Sequence, residues 1–266
     1  MFLKNARRKK RKMASSYGKF ALFYDRLTQN VEYRKIALLC DKLIKEYSSE
    51  NEVVLDLACG TGSLSEEMAR LGYDVFGVDL SEEMLEIAMD KRFDSGLDIQ
   101  YLCQDMTELD LYGAVDAVIC LLDSLNHLNS VQDFRKTVER VSMFTCDGGV
   151  FIFDVNTLYK HREILGDNAY NYVLDGLFCA WQNECHEDGS VSVYLDFFEE
   201  EDDGRYSRYS ESFKEIIISE SEIKKALAEN DFELIGQFDD FSENSVNDKT
   251  QRILYVAKRK NRTNEV

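Results

Sequence analysis

The stretch VVLDLACGTG, residues 53–62, is an apolar run broken by one acid and ending in two glycines one residue apart. Such a run, followed by a glycine-rich loop, is typical of a buried parallel strand that leads into a helix. Gly60 and Gly62 allow the backbone to turn sharply at the carboxyl end of the strand, where open α/β sheets bind ligands. The stretch therefore predicts a ligand-binding loop and a helix starting at Ser63, with Ser63–Glu66 as its capping box.

The rest of the first half alternates between apolar strands and amphipathic helices. Residues 33–47 carry apolar side chains at helical spacing, and the aromatic segment YGKFALFYDRL before them is predicted to be helical. Strands are predicted at 74–79, 98–103, 115–121 and 148–155, with helices from Glu82, capped by Ser81, and over 131–145. Continuous apolar strands separated by helices indicate a parallel sheet covered on both faces.

The pattern changes after the fifth strand. Residues 172–218 alternate between apolar and polar side chains and are interrupted by Asp188-Gly189 and Asp203-Gly204, which predicts an antiparallel meander. A helix over 219–230, capped by Ser219, and strands 232–239 and 251–259 end the chain. The fold class is therefore α/β, a Rossmann-like seven-stranded sheet with an antiparallel β insert after the fifth strand.

This pattern divides the chain into four parts. We expect a basic disordered tail over 1–13, N-terminal helices and a cofactor-binding α/β core over 14–156, an insert over 157–218, and the end of the core over 219–266.

Three strand ends carry polar groups suited to an adenosine. Asp79 ends the second strand, where a carboxylate can accept both hydroxyls of a ribose. Asp105 and Met106 follow the third strand, where an acid can accept from an adenine amino group and a thioether can pack on the ring. Ser65 stands where a dinucleotide fingerprint would have its third glycine. Together these positions predict an adenosine site, although acids at strand ends also serve as caps.

At this level the chain resembles class I S-adenosylmethionine (SAM)-dependent methyltransferases over residues 14–260. The resemblance is carried by VVLDLACGTG, VFGVDLSEEML, QDM, DSLNHL and GGVFIFDVNT. It is strongest to the small-molecule and sugar-amine branch and to uncharacterised bacterial methyltransferases with a YxxFAxxYD stretch, here YGKFALFYD.

The resemblance implies SAM as cofactor and assigns its contacts. Asp56, Ala58, Gly60 and Gly62 would surround the methionine part, and Asp79 would hold the ribose. Leu80 and Met84 would border the ribose, while Asp105 and Met106 would contact adenine. The remaining cofactor contacts that it implies are Leu121, Tyr17 and Tyr24, the two tyrosines closing over the cofactor from the N-terminal segment.

The segment CLLDSLNHL after the fourth strand supplies the candidate catalytic groups. His127 is the best base for an acceptor that must lose a proton, with Asp123 and Asn126 as positioning groups. The alternative for His127 is a helix-cap or core histidine. The chain has no proline, which disfavours the N-P-P-Y and D-P-P-Y chemistry of adenine and glutamine methylation. Cys120 lies inside a strand, so a cysteine nucleophile has no support.

Acceptor selection is predicted to lie in the insert. Its aromatic residues Trp181, Tyr194, Tyr206 and Tyr209 are candidates for the wall of an acceptor pocket or, alternatively, for a plain core. Relatives often carry a histidine and an arginine near the stretch ESFKE (211–215), and this chain has neither of them there.

Charge and cysteine content limit the partners. The formal net charge is −18, and because residues 1–12 hold seven basic residues and no acid, the remainder carries −25. A body this acidic repels phosphate backbones, so nucleic acid is an unfavourable partner. The seven cysteines have no C-x-x-C spacing, which favours free thiols in a reducing cytoplasm. The group Cys179, Cys185 and His186 is a weak metal candidate, so no metal is expected. No segment is predicted to cross a membrane.

Three functions remain open at this stage. The first is methyl transfer to a nitrogen or oxygen of a small molecule by a monomer or homodimer. The second is methylation of RNA or protein with docking through the basic tail. The third is SAM binding for regulation without turnover.

Overall fold

The computed structural model describes residues 20–261. The predicted tail over 1–13 and the candidate residue Tyr17 lie outside this range. Six α-helices are described: α1 (20–27), α2 (Tyr33–Tyr47), α3 (Ser63–Arg70), α4 (Glu82–Ser95), α5 (Val131–Phe144) and α6 (Glu220–Glu229). Three short helical turns lie at Met106–Glu108, Ser124–His127 and Lys160–Leu165. None of the helices in the described range is long and apolar enough to cross a membrane.

Eleven strands are described, and they form two sheets. Seven of them are β1 (Val53–Leu57), β2 (Asp74–Asp79), β3 (Ile99–Cys103), β4 (Val115–Cys120), β5 (Thr145–Asn156), β10 (Phe232–Asp239) and β11 (Arg252–Arg259). The other four are β6 (Ala169–Leu174), β7 (Leu177–Cys185), β8 (Val191–Glu200) and β9 (Tyr206–Glu215).

The large sheet has the order β10-β11-β5-β4-β1-β2-β3. Strands β1 to β5 are parallel, while β11 runs antiparallel to β5 and to β10. The predicted Rossmann-like sheet of seven strands is therefore confirmed. Because the parallel strands point the same way, the carboxyl ends of β1, β2, β3 and β4 meet along one edge.

Helices cover both faces of this sheet. One buried cluster lies between the sheet and helices α5 and α6, and a second lies between the sheet and helices α2 and α3. Strand β4 is buried along its whole length, which explains its unbroken apolar run. The core therefore fixes the strand ends from both sides.

The small sheet is the predicted insert after β5, with the order β6-β7-β8-β9. It begins at Ala169, three residues before the predicted start of the meander, and its turns include both predicted Asp-Gly pairs. Alternate side chains of β8 are buried against Phe23 of α1, whose ring stacks 5.1 Å from that of Phe197. The insert therefore packs on the N-terminal helix.

The predicted capping box at Ser63–Glu66 is wrong. Helix α3 begins at Ser63, with Gly62 as its N-cap in a left-handed conformation and no side-chain cap. The loop reaches the helix through glycine geometry, so no serine hydroxyl is needed there. The caps predicted at Ser81 and Ser219 are confirmed, because these side chains accept from the backbone amides of Met84 and Glu222.

Candidate active site

The loop after β1 has a left-handed backbone at three positions. Ala58, Gly60 and Gly62 have φ values of 61°, 55° and 75°. A Cβ added at Gly62 would lie 2.3 Å from the hydroxyl of Tyr101, whereas one added at Gly60 would meet nothing within 4 Å. Gly62 is therefore required for packing, while Gly60 leaves open space beside the backbone, as a bound ligand needs.

Asp79 at the end of β2 is bonded to this loop. Its Oδ2 accepts from the amide of Gly60 and its Oδ1 from the amide of Ser81, both at 2.8 Å. Burial raises the pKa of Asp79, and these two amides oppose the shift because they stabilise the carboxylate. The side chain thus fixes the loop, and each oxygen retains a lone pair for a further donor.

Asp56 is buried beneath the same loop, where its Oδ2 accepts from the Ser65 hydroxyl at 2.5 Å. Burial raises the pKa of Asp56 to about 7, although the bond from Ser65 opposes the shift. Ser65, which occupies the place of the third glycine of a dinucleotide fingerprint, is therefore a partner of this acid.

The residues predicted to border the ribose and to contact adenine lie at and after the ends of β2 and β3. The side chain of Leu80 is exposed, whereas Met84 is buried in the first turn of α4. Asp105 caps a short helical turn, because its Oδ1 accepts from the amide and hydroxyl of Thr107. Met106 packs against the core. Asp105 thus already has a structural role, with Oδ2 free of hydrogen bonds to other described residues.

The chain turns sharply after β4 and the buried Leu121. Leu122 and Asp123 both have a left-handed backbone, with φ of 62° and 55°. Such a conformation is costly for residues with side chains. It is held here because Oδ2 of the buried Asp154 accepts from the amide of Asp123 at 2.8 Å. Nothing in the local sequence predicted this turn.

An ion network fixes the Asp123 carboxylate. Arg252 of β11 donates to Asp123, and its Nε lies 3.2 Å from Oδ2 of Asp154. Burial would raise the pKa of Asp123, but the charge of Arg252, the neighbouring His127 and the charge of Lys160 together outweigh it and hold the pKa well below its usual range. Burial raises the pKa of Asp154 to about 6. Sequence reasoning missed Arg252 and Asp154, which lie far from Asp123 along the chain.

His127 lies close to Asp123, with Nε2 3.8 Å from Oδ2 of the acid. Burial lowers the pKa of His127, but the Asp123 carboxylate and the charge of Glu215 raise it by more, so the net shift is upward. The ring lies 4.7 Å from that of Phe213, centroid to centroid. The side chain is 38% exposed, so His127 is packed on one side by Phe213 and is not a core residue.

Asn126, next in the chain to His127, lies in the protein interior. It is fully buried, and its amide accepts from the backbone of Asn156 at 2.9 Å and donates to the carbonyl of Ile216 at 2.8 Å. The side chain joins β5 to the end of β9. It does not line the site, contrary to the role of positioning group that the sequence predicted.

A cavity of about 980 Å³ opens beside Leu122, Asp123 and His127. Its other walls come from the N-terminal helices, the insert and the segment between β10 and β11. Side chains from these three walls include Phe20, Tyr24, Ile36, Tyr172, Trp181, Leu195, Phe213, Glu215, Asp240 and Phe241. We call this space the acceptor cavity.

The predicted aromatic wall of the insert is only partly correct. Trp181 lines the acceptor cavity, together with Tyr172, which the sequence did not single out. Tyr194 and Tyr206 point to the opposite face and are exposed, while Tyr209 packs 5.9 Å from the ring of Phe23. The alternation along a strand explains this difference, since neighbouring strands place only every second residue on the inner face.

The N-terminal helix is bonded to the glycine loop. Tyr24 lines the acceptor cavity, and burial raises its pKa well above the usual value. Asp25 accepts from the hydroxyl of Thr61 at 2.6 Å and pairs with Lys91 of α4 at 2.5 Å. The sequence pointed to the tyrosine but missed Asp25, which holds the helix over the loop.

One further acid reaches the site from the insert. A carboxylate oxygen of Glu215, one of Asp123 and a ring nitrogen of His127 lie within 4.8 Å of one another, the one group in residues 20–261 that meets the spacing of a metal site. The weak candidate of Cys179, Cys185 and His186 does not form such a group, and Nε2 of His186 bonds the Ser192 hydroxyl instead. Glu215 was missed because its strand is remote in sequence from His127.

Known proteins resemble this chain over most of its length. A family model described as a methyltransferase domain matches residues 54–149, and one described as a DNA methylase matches residues 7–90. A methyltransferase-family protein of Geobacillus sp. (strain WCH70) is 32% identical, with 92% of this chain and all of the relative covered.

Solved structures show the same relationship. A SAM-dependent methyltransferase from Clostridium acetobutylicum is 36% identical and covers 92% of this chain and 99% of its own, with a TM-score of 0.83. The sugar N-methyltransferase KedS8 from Streptoalloteichus is 20% identical over 91% of this chain and 92% of its own, with a TM-score of 0.74. The second likeness concerns the fold alone.

Proposed function

Because this chain belongs to the class I SAM-dependent methyltransferases, we propose that it methylates an amine nitrogen of a small polar molecule bound in the acceptor cavity. One observation carries the proposal: a cavity of about 980 Å³ opens at Asp123 and His127, and its wall residue Tyr24 is followed in the chain by Asp25, which bonds Thr61 of the glycine loop. This volume is typical of small-molecule sites. A sugar N-methyltransferase and an amino pentose methyltransferase have the same fold, so this fold can accommodate an amine acceptor.

The cofactor would be held by the residues along the strand ends. The open space at Gly60 suits the close approach of backbone to the methionine part, and the oxygens of Asp79 suit ribose hydroxyls. SAM supplies an electrophilic methyl group. The protein's own contribution is to exclude water with Tyr24, Trp181 and Phe213 and to fix the acceptor in line. His127 would take the proton that the amine loses, and the charge of Asp123, 3.8 Å from Nε2, would stabilise the imidazolium that forms.

A macromolecular acceptor fits this site less well. The walls of the acceptor cavity come from three separate parts of the chain, and the body outside residues 1–12 carries a charge of −25. A nucleic acid would have to overcome this charge. We also propose that the protein acts in the cytoplasm, which its seven unpaired cysteines support.

The proposal is tested with purified protein, SAM and a panel of paired compounds that differ only in carrying an amine or a hydroxyl, such as D-glucosamine and D-glucose. We expect S-adenosylhomocysteine to form with members of the amine series and mass spectrometry to show a methyl on nitrogen. Methylation of hydroxyl compounds alone, or of RNA alone, would contradict the proposal.

Trp181→Ala is expected to raise the acceptor KM by roughly 10- to 100-fold, because an aromatic wall contributes about 1.5–3 kcal/mol to a buried ligand. The dissociation constant of SAM should stay within about threefold (about 0.65 kcal/mol). Tyr194→Ala is the matched control, since Tyr194 lies on the outer face of the same sheet. Equal effects of the two substitutions on acceptor KM would show that the insert acts only through its stability.

Asp56 gives a second test, on the cofactor side. Burial holds its pKa at about 7, and the ammonium group of SAM beside it favours the ionised form. SAM binding at about pH 6 should therefore release a proton. Calorimetric titrations in buffers of different ionisation enthalpy measure this release, and Asp56→Asn should abolish it. Identical heats of binding in all buffers for the unmodified protein would place the SAM ammonium away from Asp56.

A further inference from the structure

A buried histidine lies behind the acceptor cavity. His161, in the helical turn Lys160–Leu165, is fully buried, with Nδ1 2.9 Å from the carbonyl of Gly189 and Nε2 3.1 Å from Oε2 of Glu215. A carbonyl oxygen can only accept, so Nδ1 must carry a hydrogen. Nε2 of His161 then faces a carboxyl oxygen, and a proton must lie between these two atoms.

That proton can belong to either partner. The pair is an imidazolium with a carboxylate or a neutral imidazole with a carboxylic acid. The same Oε2 also accepts from Nδ2 of Asn156 at 2.8 Å, and the Asn156 amide is oriented because its Oδ1 accepts from Lys160 at 2.8 Å. In the neutral pair Oε2 would be a hydroxyl oxygen that donates to His161 and accepts only weakly from Asn156, whereas a carboxylate oxygen accepts from both. The geometry therefore favours the imidazolium.

We propose that His161 is a protonated, buried counter-ion that keeps Glu215 ionised and turned into the acceptor cavity, where Glu215 binds the amino group of the acceptor. His161 is a positioning residue, and Glu215 is a binding residue that completes a site with Asp123 and His127. The role of Glu215 rests on the proposed function, whereas the charge of His161 does not.

The spacing of the three groups fits an amine nitrogen. Atoms within 4.8 Å of one another can all be reached from one point. That point is at most about 2.8 Å from each of them, which is the length of an N–H···O bond between charged partners.

The charges around the point also suit an amine. Arg252 is paired with Asp123 and Asp154, and Lys160 is bonded to Asn156. The Oε2 of Glu215 contacts both His161 and Asn156. Its Oε1 has no hydrogen bond to any residue in the described part of the chain. Glu215 also lines the acceptor cavity. One oxygen is thus fixed and the other is available to a ligand.

The charge of His161 is measured by nitrogen-15 NMR of the histidine rings in the full-length protein. The chain has three histidines, so His161→Gln, His127→Gln and His186→Gln assign the signals. We expect both ring nitrogens of His161 to carry a hydrogen in the folded protein, because Nδ1 faces a carbonyl oxygen and Nε2 a carboxylate. In Glu215→Gln the same ring should be neutral. A neutral His161 ring in the unmodified protein would overturn the proposal, even if the panel identifies an amine acceptor.

The ligand is tested with methylammonium and Mg²⁺ as separate probes. Methylammonium should shift the ring signals of His127 in the unmodified protein and leave them unchanged in Glu215→Gln. With an amine acceptor from the panel, Glu215→Gln should raise KM at least about 10-fold and leave the SAM dissociation constant within about threefold. Glu184→Gln, on the exposed face of β7, is the matched control.

Three further results would contradict either the role of Glu215 or the proposed function. Shifts of His127 by Mg²⁺ and not by methylammonium would make the group a metal site and overturn the proposal. An unchanged KM in Glu215→Gln would also overturn the binding role. If the panel yields no amine acceptor, the proposed function fails, while the two ring experiments still decide the charge of His161 and the ligand of Glu215.

Discussion

Asp79→Ala is expected to weaken SAM binding by roughly 2–4 kcal/mol, about 30- to 1,000-fold in Kd, from the loss of two charge-assisted hydrogen bonds to the ribose. The structure adds a second reason, because the same carboxylate holds the amides of Gly60 and Ser81 at 2.8 Å. Isothermal titration calorimetry with SAM measures the loss.

Asp74→Ala is the matched control, since Asp74 lies exposed at the other end of the same strand. Circular dichroism of Asp79→Ala should remain native, because the helices around the loop pack through apolar contacts. An unchanged SAM affinity in a folded Asp79→Ala variant would mean that the acid is only a structural cap of the loop.

His127→Gln is expected to lower kcat by about 100- to 1,000-fold, the usual contribution of a positioned general base. The SAM dissociation constant should not change, because His127 belongs to the acceptor cavity and not to the glycine loop. Steady-state kinetics with an acceptor from the panel, together with calorimetry, separates the two effects. His186→Gln should retain full activity, since His186 bonds Ser192 outside the cavity. Full activity of His127→Gln would exclude His127 as the base.

The pH dependence of kcat/KM provides a second test of His127 as the base. A base works in its neutral form, so kcat/KM should rise as the pH passes upward through the pKa of His127. The carboxylate of Asp123 and the charge of Glu215 favour the imidazolium and raise that pKa above 6.5, although burial opposes them. Asp123→Asn should therefore move the acidic limb to lower pH. A limb that stays in place would assign the titration to another group.

The residues proposed to hold the cofactor could be located from the sequence because their signals are local. The loop after β1, Asp56 within that strand and Asp79 at the end of β2 are each read from a short stretch, and parallel strands bring their carboxyl ends to one edge. The contacts of these residues with SAM remain predictions. Tyr17, which was also predicted to contact SAM, lies outside the described residues.

The acceptor half was less predictable because its contacts join distant segments. Strand alternation decided that Trp181 faces inward and Tyr194 outward, and this depends on how the insert packs against Phe23. The absence of a histidine near ESFKE gave no hint that His161 would contact Glu215 from another part of the chain.

The sequence by itself determined the α/β sheet, the position of the glycine loop and the family, since apolar periodicity and turn residues act over a few neighbours. Only the tertiary structure decided which groups surround the acceptor cavity. Pairing of β11 with β5 brings Arg252 and Asp154 to Asp123. Packing of the insert brings Glu215 to His127. These segments lie far apart in the chain. Their charges set the protonation of the site, and burial strengthens those charges in a way that no local pattern encodes.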